Sequence, residues 1–293
     1  LTNLAREMVD IIHTQSSSNK LAELLVQNEE IIHNLANTLV ANFFDGKMRA
    51  PKSGIGDDFY QYRPLNDGEP ANKIDWRISA KSDNLYTKEK QVLIPNQFAI
   101  WLDNSAQMHF ANGKKPIKKF DMAFIYANAF EIALRKLGAK VIVCGQKNGG
   151  KFANKLLQSG QNFPQNLKPI PTIIISDGLR PIEFWQNFIL KNSKSKTPIF
   201  FVIINDKSEL EFDFNGNFEF QDFEFQNEKL LIEDCENIQQ EYQKQIKVHF
   251  EDFEKIIAKH HFDYAMAKND VPLESQIITI WHRLNQYLKR CAK

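Results

Sequence analysis

From Phe98 onward, short continuous apolar runs alternate with longer segments of helical period, and this alternation most narrows the choice of fold. Phe98–Leu102, Ala139–Cys144, Thr172–Ser176, Ile199–Ile204 and Phe262–Ala265 read as strands. Ile117–Leu137, Ile182–Leu190, Ile238–Ala258 and Glu274–Leu288 read as helices, the second with Pro181 in its first turn, where proline is tolerated. Strands that are apolar on both faces must be covered on both faces. The pattern therefore predicts an α/β fold with a mostly parallel sheet flanked by helices. Residues 145–171 hold Gly149, Gly150, Pro164 and Pro169, and read as a long excursion with one short helix around Phe152 to Leu157.

Upstream, Leu21, Leu24, Leu25, Ile31, Ile32, Leu35, Leu39 and Val40 recur near the helical period and predict a helix from about Asn19 to Phe44. Residues 45–58 are rich in Gly, Pro and Lys and read as a loop; Gly54 and Gly56 within it mark a turn, since no strand precedes them and no helix follows. Residues 59–91 show a short, mixed pattern. The organisation expected is a helical segment (1–44), a small strand-and-turn module (45–92) and an α/β domain (93–293).

One insertion interrupts the α/β rhythm. Leu210, Phe212 and Phe214 alternate with acids, Asn215 and Gly216 follow, and Phe218 and Phe220 flank Glu219. Asn-Gly between alternating runs predicts a hairpin, because both turn residues need φ > 0. Its Phe face should pack on the domain. Its acidic face is either solvated or a docking surface for a basic partner.

Lys plus Arg number 37 against 36 Asp plus Glu, for a formal charge of +1. That balance lacks the basic excess of a nucleic-acid binder. The cluster Lys114, Lys115, Lys118 and Lys119 reads as a solvated loop and helix start. Cys144, Cys235 and Cys291 lie far apart, which supports neither a disulfide framework nor a zinc site, and Cys144 reads as a core residue. The pair His260, His261 reads as a helix end. The 23 Phe residues read as core material. No secretory signal is visible, and no apolar run approaches the ~20 residues that span a bilayer. The expected location is the cytoplasm.

Two strand ends carry chemistry. Asp103 and Ser105 follow the first strand of the sheet, and Ser176 and Asp177 end another. Ligands of doubly wound sheets bind outside such carboxyl ends, and oxygen donors there suit a hard cation such as Mg²⁺. The same residues also cap turns. No Gly-x-Ser-x-Gly elbow occurs, Ser105 has no sequence-visible His partner, and Asp103 is not followed by a second Asp two residues on.

The segment 58–81 mixes Phe59, Tyr62 and Trp76 with Arg63, Arg77, Asp67 and Asp75. It suits either a packed network of Arg–Asp pairs under aromatics or an exposed aromatic-Arg patch. In the first case Asp75 would be half of a buried pair.

Those residues carry a resemblance. The run Gly56, Phe59 to Pro64, Asp67, Gly68 and Ile74 to Ala80 resembles the signature of the bacterial family known as domain of unknown function 58. The likeness continues through Leu85 to Glu89, Trp101 to Ser105, Asn205 to Phe220 and Asp270 to Leu273, spanning roughly residues 20–290. It implies a von Willebrand factor A-like (Rossmann-like) domain with a metal-ion-dependent adhesion-type site, beside a small signature module. The site's Asp-x-Ser-x-Ser pattern falls on Asp103, Ser105 and Gln107, with Asp177 as the acid of a later loop. Gln107 departs from the pattern, being longer than Ser, so a Mg²⁺ site here is weakened, rearranged or lost. The family's members are often encoded beside a MoxR-type AAA+ ATPase. The resemblance thus implies a non-catalytic adaptor that helps such an ATPase remodel or assemble a client. Phe59, Tyr62, Arg63, Asp67, Asp75, Trp76 and Arg77 would be structural or lie at the join between module and sheet. The alternatives are a metal-dependent hydrolase using Asp103, Ser105 and Asp177, and a plain interaction protein with no metal.

Overall fold

Five parallel strands form the centre of the computed structural model: β3 (Gln97–Leu102), β4 (Lys140–Val143), β5 (Thr172–Ser176), β6 (Ile199–Asn205) and β9 (Asp263–Lys268), in the order β4-β3-β5-β6-β9. The structure describes residues 29–44, 60–65, 71, 74–81, 84–90, 95–112, 117–144, 151–158, 163–164, 167–194, 197–221 and 229–291. Each predicted strand of the sheet is present, within three residues at either end. The strands were legible because β5 and β6 are buried along their whole length, so every position must be apolar or hydrogen-bonded.

Side chains alternate between two cores. Phe98, Ile100, Leu102, Ile173, Ile175, Phe200, Val202 and Ile204 point to one face, with α1 (Glu29–Phe44), α3 (Lys119–Lys136) and α8 (Leu273–Cys291). Trp101, Ile174, Phe201 and Ile203 point to the other, with α5 (Ile182–Ser193) and α7 (Glu236–Lys259). On that second face Phe163, Phe184, Trp185, Phe188, Phe201 and Phe253 meet edge to face, the geometry that ring quadrupoles favour. Many of the abundant Phe residues are core, as their number suggested, whereas Phe218 is exposed.

α3 is buried almost all round, from Lys119 to Leu134. One side lies on the sheet; on the other, Ile32, Leu35, Ala36 and Leu39 of α1 join the same core. A helix sandwiched in this way needs apolar residues on every face. The expected helix from Asn19 is described from Glu29 onward, and residues 19–28 lie outside the described residues. α4 (Phe152–Gln158) is the short helix of the excursion, and Pro181 is the N-cap of α5 rather than a residue of its first turn.

The signature module holds β1 (Tyr60–Pro64), α2 (Trp76–Ser79) and β2 (Tyr86–Lys90). β1 and β2 pair antiparallel, from Tyr60 opposite Lys90 to Pro64 opposite Tyr86. The Asp75 carboxylate caps α2, accepting the backbone N–H of Arg77 and Ile78. Ser79 Oγ donates to Asp75 O and accepts the N–H of Tyr86, both at 2.8 Å, which ties the helix to β2.

The insertion is a hairpin with different strands from those expected. Asp206 caps a short helix, α6 (Lys207–Glu211), through a capping box: its side chain accepts from Ser208 N–H while Glu209 Oε2 accepts the Asp206 N–H at 2.9 Å. Residues 207–211 are thus helical, although their alternation suits a strand. Asn215 and Gly216 bend the chain after that helix rather than joining two strands. The antiparallel pair is β7 (Phe218–Gln221) with β8 (Lys229–Ile232). Asp-x-x-Glu is a helix-start signature, and two reciprocal hydrogen bonds outweigh weak strand propensity over five residues. The Phe face packs on the domain in part: Phe212 is buried and meets Tyr242 of α7 at 4.7 Å and Phe220 at 5.7 Å, while Phe218 is exposed.

Candidate functional site

The strand order reverses beside β3, whose sequence neighbour β4 lies on one side and β5 on the other. This is the topological switch point, where doubly wound sheets open a crevice. Leu102 stands opposite Ile175, and Asp103 N–H donates to Ile175 O at 2.8 Å, so the register brings Asp103 beside Ser176 and Asp177. Both acids are buried.

Each of their four carboxylate oxygens takes a hydrogen bond from the chain. Asp103 Oδ1 accepts Ser105 N–H at 3.0 Å, and Oδ2 accepts the Ser176 hydroxyl at 2.8 Å. Asp177 Oδ1 accepts Leu179 N–H at 3.1 Å, and Oδ2 accepts Lys119 Nζ at 3.1 Å. The Lys119 ammonium also donates to Glu209 Oε1 at 2.5 Å. Arg180 Nε lies 3.8 Å from Asp103 Oδ2, with its guanidinium over the rings of Phe163 and Phe184.

The surrounding loops lock this arrangement. Gly178 has φ +74°, and a Cβ there would stand 3.2 Å from the Ile203 side chain, so glycine serves both the left-handed turn and the close approach to β6. Its carbonyl accepts Trp185 Nε1 at 3.1 Å and pairs with His249 Nε2 at 2.8 Å. Asn205 Nδ2 donates to Asp177 O at 2.8 Å. Asn269, after β9, donates from Nδ2 to Asp206 Oδ2 at 2.7 Å and to Ile117 O at 3.1 Å. Asn104 Oδ1 pairs with His109 Nε2 at 2.9 Å, and His109 stacks on Phe120.

Electrostatics follow from burial and from these donors. Burial raises the Asp103 carboxyl above its ordinary range and Asp177 adds to it, against the lowering by Arg180 and the donors Ser105 and Ser176. Glu209 is likewise raised by burial, against the pull of Lys119. At Asp206 burial also acts upward, but hydrogen bonds from Asn269, Asn112 and Ser208 outweigh it and hold the carboxyl below its usual range.

Of the sequence-predicted oxygen donors, Asp103 and Asp177 come together. Ser105 contributes its backbone N–H, and Gln107 lies half-buried in the 3-10 turn Ala106–His109. As placed, these groups do not fit a divalent cation. The carboxylate oxygens that it would need are engaged, and a buried ammonium faces one of them. Among the described residues, no three His, Cys, Asp or Glu side chains gather in a way that could hold a metal ion.

Sequence reasoning missed Lys119, Arg180 and Glu209. Lys119 is no solvated residue; it is 0% exposed, unlike its exposed neighbour Lys118. The available signals were its place at the head of a helix apolar on every side and the Asp-x-x-Glu box that orients Glu209. Of the signature residues, Trp76 is 64% exposed and Tyr62 and Arg77 are exposed, while Asp75 caps α2. Phe59 and Asp67, and the side chain of Arg63, lie outside the described residues. His260 and His261 end α7 as expected. Cys144 is half-buried, its thiol pushed up to about 12 by burial. No helix among the described residues is long and apolar enough to cross a membrane.

No curated protein and no solved structure matches the chain. A family model does, over the stretch that begins in β1, takes in the signature from Gln61 onward, Asp103, Ser105, Gln107 and Lys119, and ends in α4. Residues 61–153 are a domain of the family described as Protein of unknown function DUF58.

Proposed function

We propose that the protein is a non-catalytic adaptor, von Willebrand factor A-like in its sheet and strand-end site, that binds a MoxR-type AAA+ ATPase acting on a client. The support for a binding role rather than chemistry is that all four oxygens of Asp103 and Asp177 are held by the chain's own donors. A general base or nucleophile needs an oxygen aimed at substrate, and these are aimed inward. This disfavours the hydrolase reading.

The docking surface is the β7–β8 hairpin. Leu231, 61% exposed, stands opposite Glu219 there, with the exposed acids Glu233, Asp234 and Glu236 close by in the chain, while Leu230, equally exposed, projects from the other face of β8. Residues 208–242 carry eleven acids and one base, in a chain whose Lys plus Arg (37) and Asp plus Glu (36) balance only as a whole. An apolar centre inside an acidic field fits an apolar segment flanked by Lys and Arg on the partner. The test is a pull-down with the tagged full chain from its own cells, with bound proteins identified. Recovery of a MoxR-type ATPase by the wild type and its loss in Leu231→Glu supports the proposal. Recovery of no AAA+ ATPase sinks it.

A further inference from the structure

Lys119 meets two carboxylates from separate segments. Its Nζ lies 3.1 Å from Asp177 Oδ2, in the turn after β5, and 2.5 Å from Glu209 Oε1, on α6. The side chain itself starts α3 and is 0% exposed. One ammonium therefore pairs with two acids and joins three parts of the chain. A bound divalent ion at a strand-end site would do the same two things. A Mg²⁺ ion would need oxygen ligands at about 2.0–2.1 Å in near-octahedral array. To gain Asp177 it would have to take the carboxylate from an ammonium whose side chain is 0% exposed, leaving that charge buried without Asp177.

We infer that Lys119 takes the cation position of this cluster, and that Asp177 and Glu209 accept a divalent ion only when the ammonium is gone. The inference stands on side-chain geometry and does not depend on the adaptor reading, whose failure in a pull-down would leave it untouched.

Mn²⁺ binding to the full chain tests it, followed by electron paramagnetic resonance and calorimetry. The wild type should show no saturable Mn²⁺ site that Asp177→Asn removes. A Lys119→Ala variant with native circular dichroism should acquire one, lost again in Lys119→Ala/Asp177→Asn. Wild-type binding abolished by Asp177→Asn would overturn the inference, as would a folded Lys119→Ala variant that ignores Mn²⁺. If Lys119→Ala does not fold, reductive methylation of the native wild type decides. Lys119 should resist labelling equally with and without millimolar Mg²⁺, while Lys247, 78% exposed, reacts. Labelling of Lys119 that begins when Mg²⁺ is added would show the metal displacing it.

Discussion

The Ser176 hydroxyl donates to Asp103 Oδ2 at 2.8 Å, joining the ends of β3 and β5 where the strand order reverses. Both residues are buried, and Asp103 already carries a pKa raised by burial. Ser176→Ala removes one of its donors, so it should destabilise the fold by about 1–3 kcal/mol. It should also raise the Asp103 pKa further. Urea unfolding gives the first quantity, and carboxyl titration by NMR gives the second.

Lys119→Met should be costlier. It leaves Asp177 and Glu209 facing each other without their shared cation, both largely buried. Breaking a buried pair from one side costs about 3–5 kcal/mol. The double variant Lys119→Met/Asp177→Asn should recover part of that loss, so a double-mutant cycle would show strong coupling. Additive effects would contradict the geometry.

Asp121, in the first turn of α3, is buried, and burial raises its carboxyl to about 6, against the lowering by Lys118. The folded state thus holds a proton that the unfolded chain releases near pH 4. Between about pH 4 and pH 6 the unfolded state binds fewer protons, and stability falls as pH rises. Asp121→Asn should remove that slope and stabilise the protein above pH 6 by about 1–3 kcal/mol. Melting temperatures across this range check the sign.

Gly178→Ala forces a Cβ into a left-handed turn and to 3.2 Å from Ile203. It should destabilise by about 1–2 kcal/mol from backbone strain alone. A neutral outcome in thermal melts would mean that the loop relaxes freely.

Asp75→Ala should lower stability by about 0.5–2 kcal/mol, the loss of an N-cap. A buried Arg–Asp pair, the other reading of the signature, would give about 3–5 kcal/mol. Asp75→Asn separates the two, since Asn caps nearly as well but carries no charge.

The contrast between Asp75 and Lys119 shows what a sequence yields and what it withholds. β5 and β6 are legible because burial on both faces acts on every residue in the run. α3 is legible for the same reason. The site is half legible: Asp103 and Asp177 stand at the carboxyl ends of predicted strands, where sheets of this kind place their ligands. Lys119 and Glu209 are not legible, because their pairing joins residues 90 positions apart and depends on a five-residue helix. The Asn215–Gly216 signal misleads because it is local, whereas the capping box before it sets the chain's direction first.

The sandwiching of α3 and the order of the sheet bear on where the chain can be cut. A fragment of residues 61–153 would keep β3 and β4 but lose β5, β6 and β9, so β3 would have one open edge. It would also lose α1, leaving the outer side of α3 in water. The unit that recurs between proteins and the unit that folds are therefore different lengths of this chain, and an expression boundary set by the first would yield an insoluble product.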